Sequence, residues 1–120
     1  MDFFDRESKK SGAKLDITHD LNDAAKDAIV IYAKSWGSYS MEREYDLEYR
    51  KQFMNSWCVN DKHFEVADPN AIFMHCLPAD RNQEVTDSVM DGPHSAIYDE
   101  AENRMHAHKA ICVALMSNKN

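Results

Sequence analysis

Two short apolar runs constrain this chain more than any other feature. Ala28-Ile29-Val30-Ile31-Tyr32-Ala33 and Ala71-Ile72-Phe73-Met74-His75 are too short for core helices and rich in β-branched and aromatic residues. Continuous rather than alternating hydrophobicity is the mark of strands buried on both faces, as in parallel sheets. Between them lie Glu42 to Phe53, charged and helical in pattern, and Asn60 to Ala67, a helix with Asn60 as its cap. Strand, helix and strand in that order predict a parallel crossover. The same alternation extends outward. Lys14-Leu15-Asp16-Ile17-Thr18 alternates as a short strand, followed by a helix over Leu21 to Asp27 with Asp20 as N-cap. Beyond the second run, Val85 to Met90 reads as a short helix closed by Asp91-Gly92-Pro93, and Ser95-Ala96-Ile97-Tyr98 as a fourth strand. A polar helix over Asp2 to Ser11 opens the chain, and a long one over Ala101 to Met116 closes it. The last turns of the long helix, Ala110 to Met116, are apolar almost all round and are expected to be deeply packed. The expected fold is α/β, a doubly wound parallel sheet of Rossmann-like type, as a single domain over residues 1–120. Such a domain ordinarily opens on a buried strand, so its first βα unit is expected to be missing. That loss should expose apolar side chains such as Ile29, Ile31 and Phe73.

Composition narrows the function classes. Fourteen basic against 21 acidic residues give a net charge of −7, the wrong sign for neutralising phosphates, so no nucleic-acid partner is expected. No apolar run reaches the ~18–20 residues of a membrane span, and Met1 to Asp5 lacks a secretory pattern. Three widely spaced cysteines, Cys58, Cys76 and Cys112, form neither a disulfide framework nor a CxxC pair, which fits a cytoplasmic protein. No metal or cofactor is expected: His106 and His108, two apart on a helix, point in different directions. Met105, Cys112 and Met116 recur at helical spacing and read as core. Glu42-Arg43-Glu44 and its neighbours read as a solvated face.

Ligands of open α/β sheets bind beyond the carboxyl ends of the strands. The segments there are Lys34-Ser35-Trp36-Gly37-Ser38, His75-Cys76-Leu77-Pro78-Ala79-Asp80-Arg81 and Asp99-Glu100-Ala101-Glu102-Asn103-Arg104. His-Cys-Leu-Pro followed by Asp-Glu-Ala-Glu-Asn-Arg at this spacing resembles the ornithine carbamoyltransferase family. The likeness runs over nearly the whole chain, aligned to the carboxyl-terminal, amino-acid-binding domain. It implies transfer of a carbamoyl group from carbamoyl phosphate to the δ-amine of ornithine or an acylated ornithine. Attack on a carbonyl needs a stabilised oxyanion and an oriented amine. By resemblance, the backbone carbonyls of Cys76 and Leu77 hold the carbamoyl NH₂, and Arg104 donates to the carbamoyl oxygen. Pro78 follows a peptide bond that is cis in the family, and His75 supports the site structurally. Cys76 as a covalent nucleophile is disfavoured, because no base and orienter accompany it.

The amino-acid side is where the chain departs from the ornithine pattern. Ornithine enzymes carry Asp-x-Trp-x-Ser-Met-Gly after this strand, the Asp holding the substrate's α-ammonium. Alignment on Trp36 puts Lys34 at the Asp, Ser38 on the Ser and Tyr39 on the Met. A Lys ~4 Å from an ammonium is repelled by ~4 kcal/mol at an effective dielectric of 20. An acylated, neutral nitrogen removes that clash, so the segment resembles the N-acetylornithine branch. That branch often has a carboxylated Lys where this chain has Glu84, which supplies a carboxylate directly. Carbamoyl phosphate is held in the family by a Ser-Thr-x-Arg-Thr loop on the amino-terminal domain. These 120 residues hold no such stretch and only five arginines. The resemblance therefore implies an amino-acid-binding domain that works in a homo-oligomer, the family trimer, or with a complementary amino-terminal domain. The competing reading is a non-catalytic remnant or binding subunit with the same fold. A generic nucleotide-binding module lacks support, since no glycine-rich βα turn is present.

Overall fold

The computed structural model describes residues 2–117. In chain order the elements are α1 (Asp2–Ser11), α2 (Leu21–Ala25), β1 (Val30–Ala33), α3 (Arg43–Lys51), α4 (Met54–Trp57), α5 (Asp61–Val66), β2 (Ile72–His75), α6 (Asp87–Met90) and α7 (Ile97–Ser117). β1 and β2 pair in parallel, with Val30 opposite Ile72 and Ala33 opposite His75. The fold is thus α/β on a small parallel sheet, as the two apolar runs require.

Caps place the helices. The Asp20 carboxylate accepts from the N–H groups of Asn22 and Asp23 at 2.8 and 3.3 Å and starts α2. Asn60 starts α5 through a capping box. Its side chain accepts from the Lys62 N–H at 3.1 Å, and its own N–H donates to His63 Nδ1 at 3.0 Å. The core gathers around β2, where Phe73, Val85, Val89, Met90, Ile97, Val59 and Ala33 are buried together. Gly92 ends α6 where the chain turns against the Ser88 carbonyl, a contact any Cβ would violate.

Several sequence expectations are corrected. Lys14 to Thr18 is irregular and exposed rather than a strand. Alternation gives a strand only where a neighbouring edge can take its backbone hydrogen bonds, and among the described residues none lies alongside. Ser95 makes only one bridge, to Phe73, through the Phe73 N–H to the His94 carbonyl at 2.7 Å and the Ala96 N–H to the Phe73 carbonyl at 2.9 Å. From Ile97 the chain is helical, because the helix-forming run that follows, with acids in its first turn, draws in Ile97 and Tyr98. β1 is not buried on both faces: Val30 and Tyr32 are exposed and Ile29 is 71% exposed, whereas Phe73, bridged on both sides, is fully buried. The last turns of α7 are exposed as well, along with Met105, Cys112 and Met116, since no described element lies against them. No helix among the described residues is long and apolar enough to cross a membrane.

Candidate active site

Because β1 and β2 are parallel, the loops leaving both open on the same edge of the sheet. The amino-terminal half of α7 comes to that edge too. Tyr32 Oη donates to Glu100 Oε1 at 2.9 Å, and Arg104 Nη1 donates to the Cys76 carbonyl at 3.1 Å. Glu100 and Arg104 are one turn apart and share a helix face. The hydrogen bond to Glu100, with lesser help from desolvation and Cys76, pushes the Tyr32 phenol up to about 12.

The loop after β2 is shaped by a buried pair. Leu77 adopts φ 51°, a left-handed conformation unfavourable for a bulky residue, immediately before the cis Leu77–Pro78 bond. Its N–H donates to His75 Nδ1 at 2.9 Å. With Nδ1 accepting, the neutral ring carries its proton on Nε2, which meets Glu84 Oε1 at 3.0 Å. The same Glu84 oxygen accepts from the Asp80 N–H at 2.9 Å. Both His75 and Glu84 are buried, so the pair is an internal strut that holds residues 76–80 in place. Glu84 Oε2 is buried without a partner.

The loop after β1 has its own buried support. Asp46 and Arg50, on one face of α3, form an ion pair with Nε 3.0 Å from Oδ2. Asp46 Oδ1 accepts from the Ser38 N–H at 2.9 Å, while Arg50 Nη1 donates to Asp80 Oδ2 at 3.2 Å. The guanidinium also lies over the Trp36 ring, 5.8 Å from its centroid. Gly37 passes so close that a Cβ would stand 3.4 Å from Asp46 and 3.5 Å from Arg50. One buried pair therefore fixes both loops. It belongs to the stretch read as a solvated face; only the i, i+4 spacing of an acid and an arginine could have signalled it.

Of the residues singled out in the sequence, Cys76, Leu77, Pro78 and Arg104 gather at the strand ends, with His75 and Glu84 beneath. Lys34, Trp36 and Glu84 line a cavity of about 560 Å³ that runs along β1. Ser38 offers no free N–H, and Tyr39 is fully exposed. Cys58, a buried thiol outside this set, is pushed up by burial and then by the charge of Glu84. Tyr32, Asp46 and Arg50 are the contributors that sequence reasoning missed, while Glu100 lay within the Asp-Glu-Ala-Glu-Asn-Arg motif without an individual role.

A parallel α/β sheet with backbone carbonyls, a guanidinium and a lysine at its strand ends defines the class as an α/β domain of open-sheet type. The chain belongs to the aspartate/ornithine carbamoyltransferase family: residues 1–115 match its Asp/Orn binding domain. It is similar to the ornithine carbamoyltransferase of Methanosarcina mazei, 49% identical over 113 residues, covering 94% of this chain and 37% of that protein. The Thermococcus kodakarensis ornithine carbamoyltransferase is 46% identical, over 93% of this chain and 35% of its own length. Among solved structures, the ornithine carbamoyltransferase from Pyrococcus furiosus matches with a TM-score of 0.84 at 43% identity, over 96% of this chain and 36% of that one. An N-acetyl-L-ornithine transcarbamylase matches with a TM-score of 0.80 at 39% identity, over 96% of this chain and 35% of its own. The chain thus spans about a third of the length of these relatives.

Proposed function

We propose that this chain supplies the amino-acid-binding side of a carbamoyltransferase site, for transfer from carbamoyl phosphate to the δ-amine of an N-acylated ornithine. The observation that carries the reading is the grouping of the Cys76 carbonyl, the Leu77 turn and the Arg104 guanidinium at the strand ends. In the reaction the δ-nitrogen forms a bond to the carbamoyl carbon. The carbon–oxygen bond to phosphate then breaks, with its electron pair and the amine proton leaving on phosphate. Charge builds on the carbamoyl oxygen in between, and a guanidinium is the group that stabilises it. The carbamoyl NH₂ needs acceptors, which the carbonyls of Cys76 and Leu77 supply. A carbonyl has two lone pairs, so Cys76 can hold the NH₂ while still receiving Arg104, or release Arg104 to the oxygen.

Lys34 supports the acylated substrate. It stands exposed at the end of β1 and repels an α-ammonium but attracts an α-carboxylate. The carbamoyl phosphate side of the site comes from carbamoyltransferase sequence outside these 120 residues, in an assembly that includes more than one copy or a complementary domain. The test assays the chain, combined with the rest of a family enzyme, for citrulline and N-acetylcitrulline formation. The expected result is a kcat/KM at least tenfold higher for N-acetylornithine. A preference for ornithine overturns the reading of Lys34. A formed complex with no turnover on either substrate favours the non-catalytic alternative.

A further inference from the structure

Two helices of this chain close an acid–base pair across one turn. On α3, Asp46 and Arg50 meet with Nε 3.0 Å from Oδ2, and on α7 Glu102 and His106 meet at 3.4 Å. Glu100 and Arg104 stand at the same spacing on α7, with the acid preceding the base, the order that favours pairing. They do not pair, because both are engaged elsewhere. Glu100 Oε1 accepts from Tyr32 Oη at 2.9 Å, and Arg104 Nη1 donates to the Cys76 carbonyl at 3.1 Å. Tyr32 reaches Glu100 from a distant part of the chain. β2 lies between β1 and the segment leading into α7, since Phe73 pairs with Ile31 on one side and bridges Ser95 on the other. The phenol therefore spans β2 to meet the first turn of α7. Glu100 Oε2 is buried without a partner, so Tyr32 is the sole donor to this carboxylate. Without that donor, the nearest cation along the helix is Arg104. A guanidinium is held more tightly by a carboxylate than by a neutral carbonyl.

We propose that Tyr32 is a positioning residue that frees Arg104 for the strand ends. By donating to Glu100, the phenol keeps the carboxylate from capturing the guanidinium one turn along, and Arg104 stays on the Cys76 carbonyl. What Arg104 does there rests on the functional reading above. A guanidinium drawn back to Glu100 is neutralised as well as displaced, and so stabilises a growing oxyanion poorly. The harm in losing the phenol thus comes through Glu100, and deleting Glu100 as well removes the competitor.

The test uses the full 120-residue chain, alone and combined with the rest of a family enzyme. In the chain alone, the Cys76 carbonyl is labelled with carbon-13 and its chemical shift is read by NMR, with Arg104→Ala marking the shift of a carbonyl that has lost its guanidinium. Tyr32 is half-exposed, and Tyr32→Phe keeps its ring while removing the hydroxyl. That variant should move the Cys76 shift at least halfway to the Arg104→Ala value. Tyr32→Phe combined with Glu100→Ala should bring it back. In the assembled enzyme, Tyr32→Phe should lower kcat at least fivefold while KM for N-acetylornithine stays within twofold. The double variant should recover most of that loss, whereas a tyrosine that merely packs gains nothing from a second deletion beside it. An unmoved Cys76 shift in Tyr32→Phe, or a double variant no better than the single one, would overturn the proposal. A shift that moves and is rescued, in an assembly without carbamoyl transfer to either substrate, upholds the placement of Arg104 by Tyr32 and removes the functional reading instead.

Discussion

At the scale of single residues, Leu77 carries the argument. A left-handed leucine persists only where its surroundings hold it, and the His75–Glu84 strut does so through one N–H. Glu84→Ala leaves His75 Nε2–H and the Asp80 N–H without an acceptor, at about 1–3 kcal/mol each. Urea denaturation should show a lower midpoint with unchanged slope, and Glu84→Gln should lose less than half as much. An unshifted Glu84→Ala midpoint would remove the strut. Arg104 belongs to the same scale. In an assembled enzyme, Arg104→Ala should lower kcat by ~10²–10³, and Arg104→Lys should not restore it, because the planar fork is lost. Near-normal kcat in Arg104→Ala would exclude Arg104 from the oxyanion role. The grouping of Cys76, Leu77 and Arg104 was legible in the sequence because two dense motifs carry it. The internal duty of Glu84 was not, since its partners are set by how the loop folds back over β2.

Elements show where local pattern suffices and where it fails. Asp20 and Asn60 were readable as caps because a cap acts within three residues. The strand at Lys14 to Thr18 and the length of the one at Ser95 were misread because a strand exists only through its neighbour. The Asp46–Arg50 pair on α3 was missed because its exposure depends on loops contributed from two other places. Breaking it should be costly: Arg50→Met leaves Asp46 buried and unpaired, at about 3–5 kcal/mol, while replacing both by apolar residues should recover much of that. A double variant as unstable as the single one would contradict this. The α6 segment adds a pH dependence. Arg81 donates to Asp87 at 2.6 Å and to Asp91 at 2.7 and 2.9 Å, holding both carboxyls below their usual range. Folded values below the unfolded ones mean that their stabilisation is full above about pH 4 and fades as pH falls through the folded values. Arg81→Gln should therefore lower Tm near neutrality and give a flatter acid limb. Parallel curves for the two proteins from pH 6 to pH 2 would refute the assignment.

For the molecule as a whole, the exposed end of α7 sets the behaviour in solution. Ile111, Val113, Leu115 and Met116 are 55, 64, 74 and 76% exposed on a helix that extends a molecule 55 Å long. The sequence implied that these turns are packed, and in composition they are core. What composition could not supply is the surface that covers them, because packing needs a second element and none lies against them among the described residues. Burying such side chains is worth about 1.5–3 kcal/mol each when complete, enough for a few of them to hold two copies together at moderate concentration. The purified chain should show a mass that rises with concentration, together with binding of a hydrophobic dye. Leu115→Glu combined with Val113→Glu places like charges on that helix in every copy and should return the mass toward 13.8 kDa, with dichroism unchanged. A monomeric parent chain, or a double variant that associates as strongly as the parent, would show that α7 is not the surface responsible.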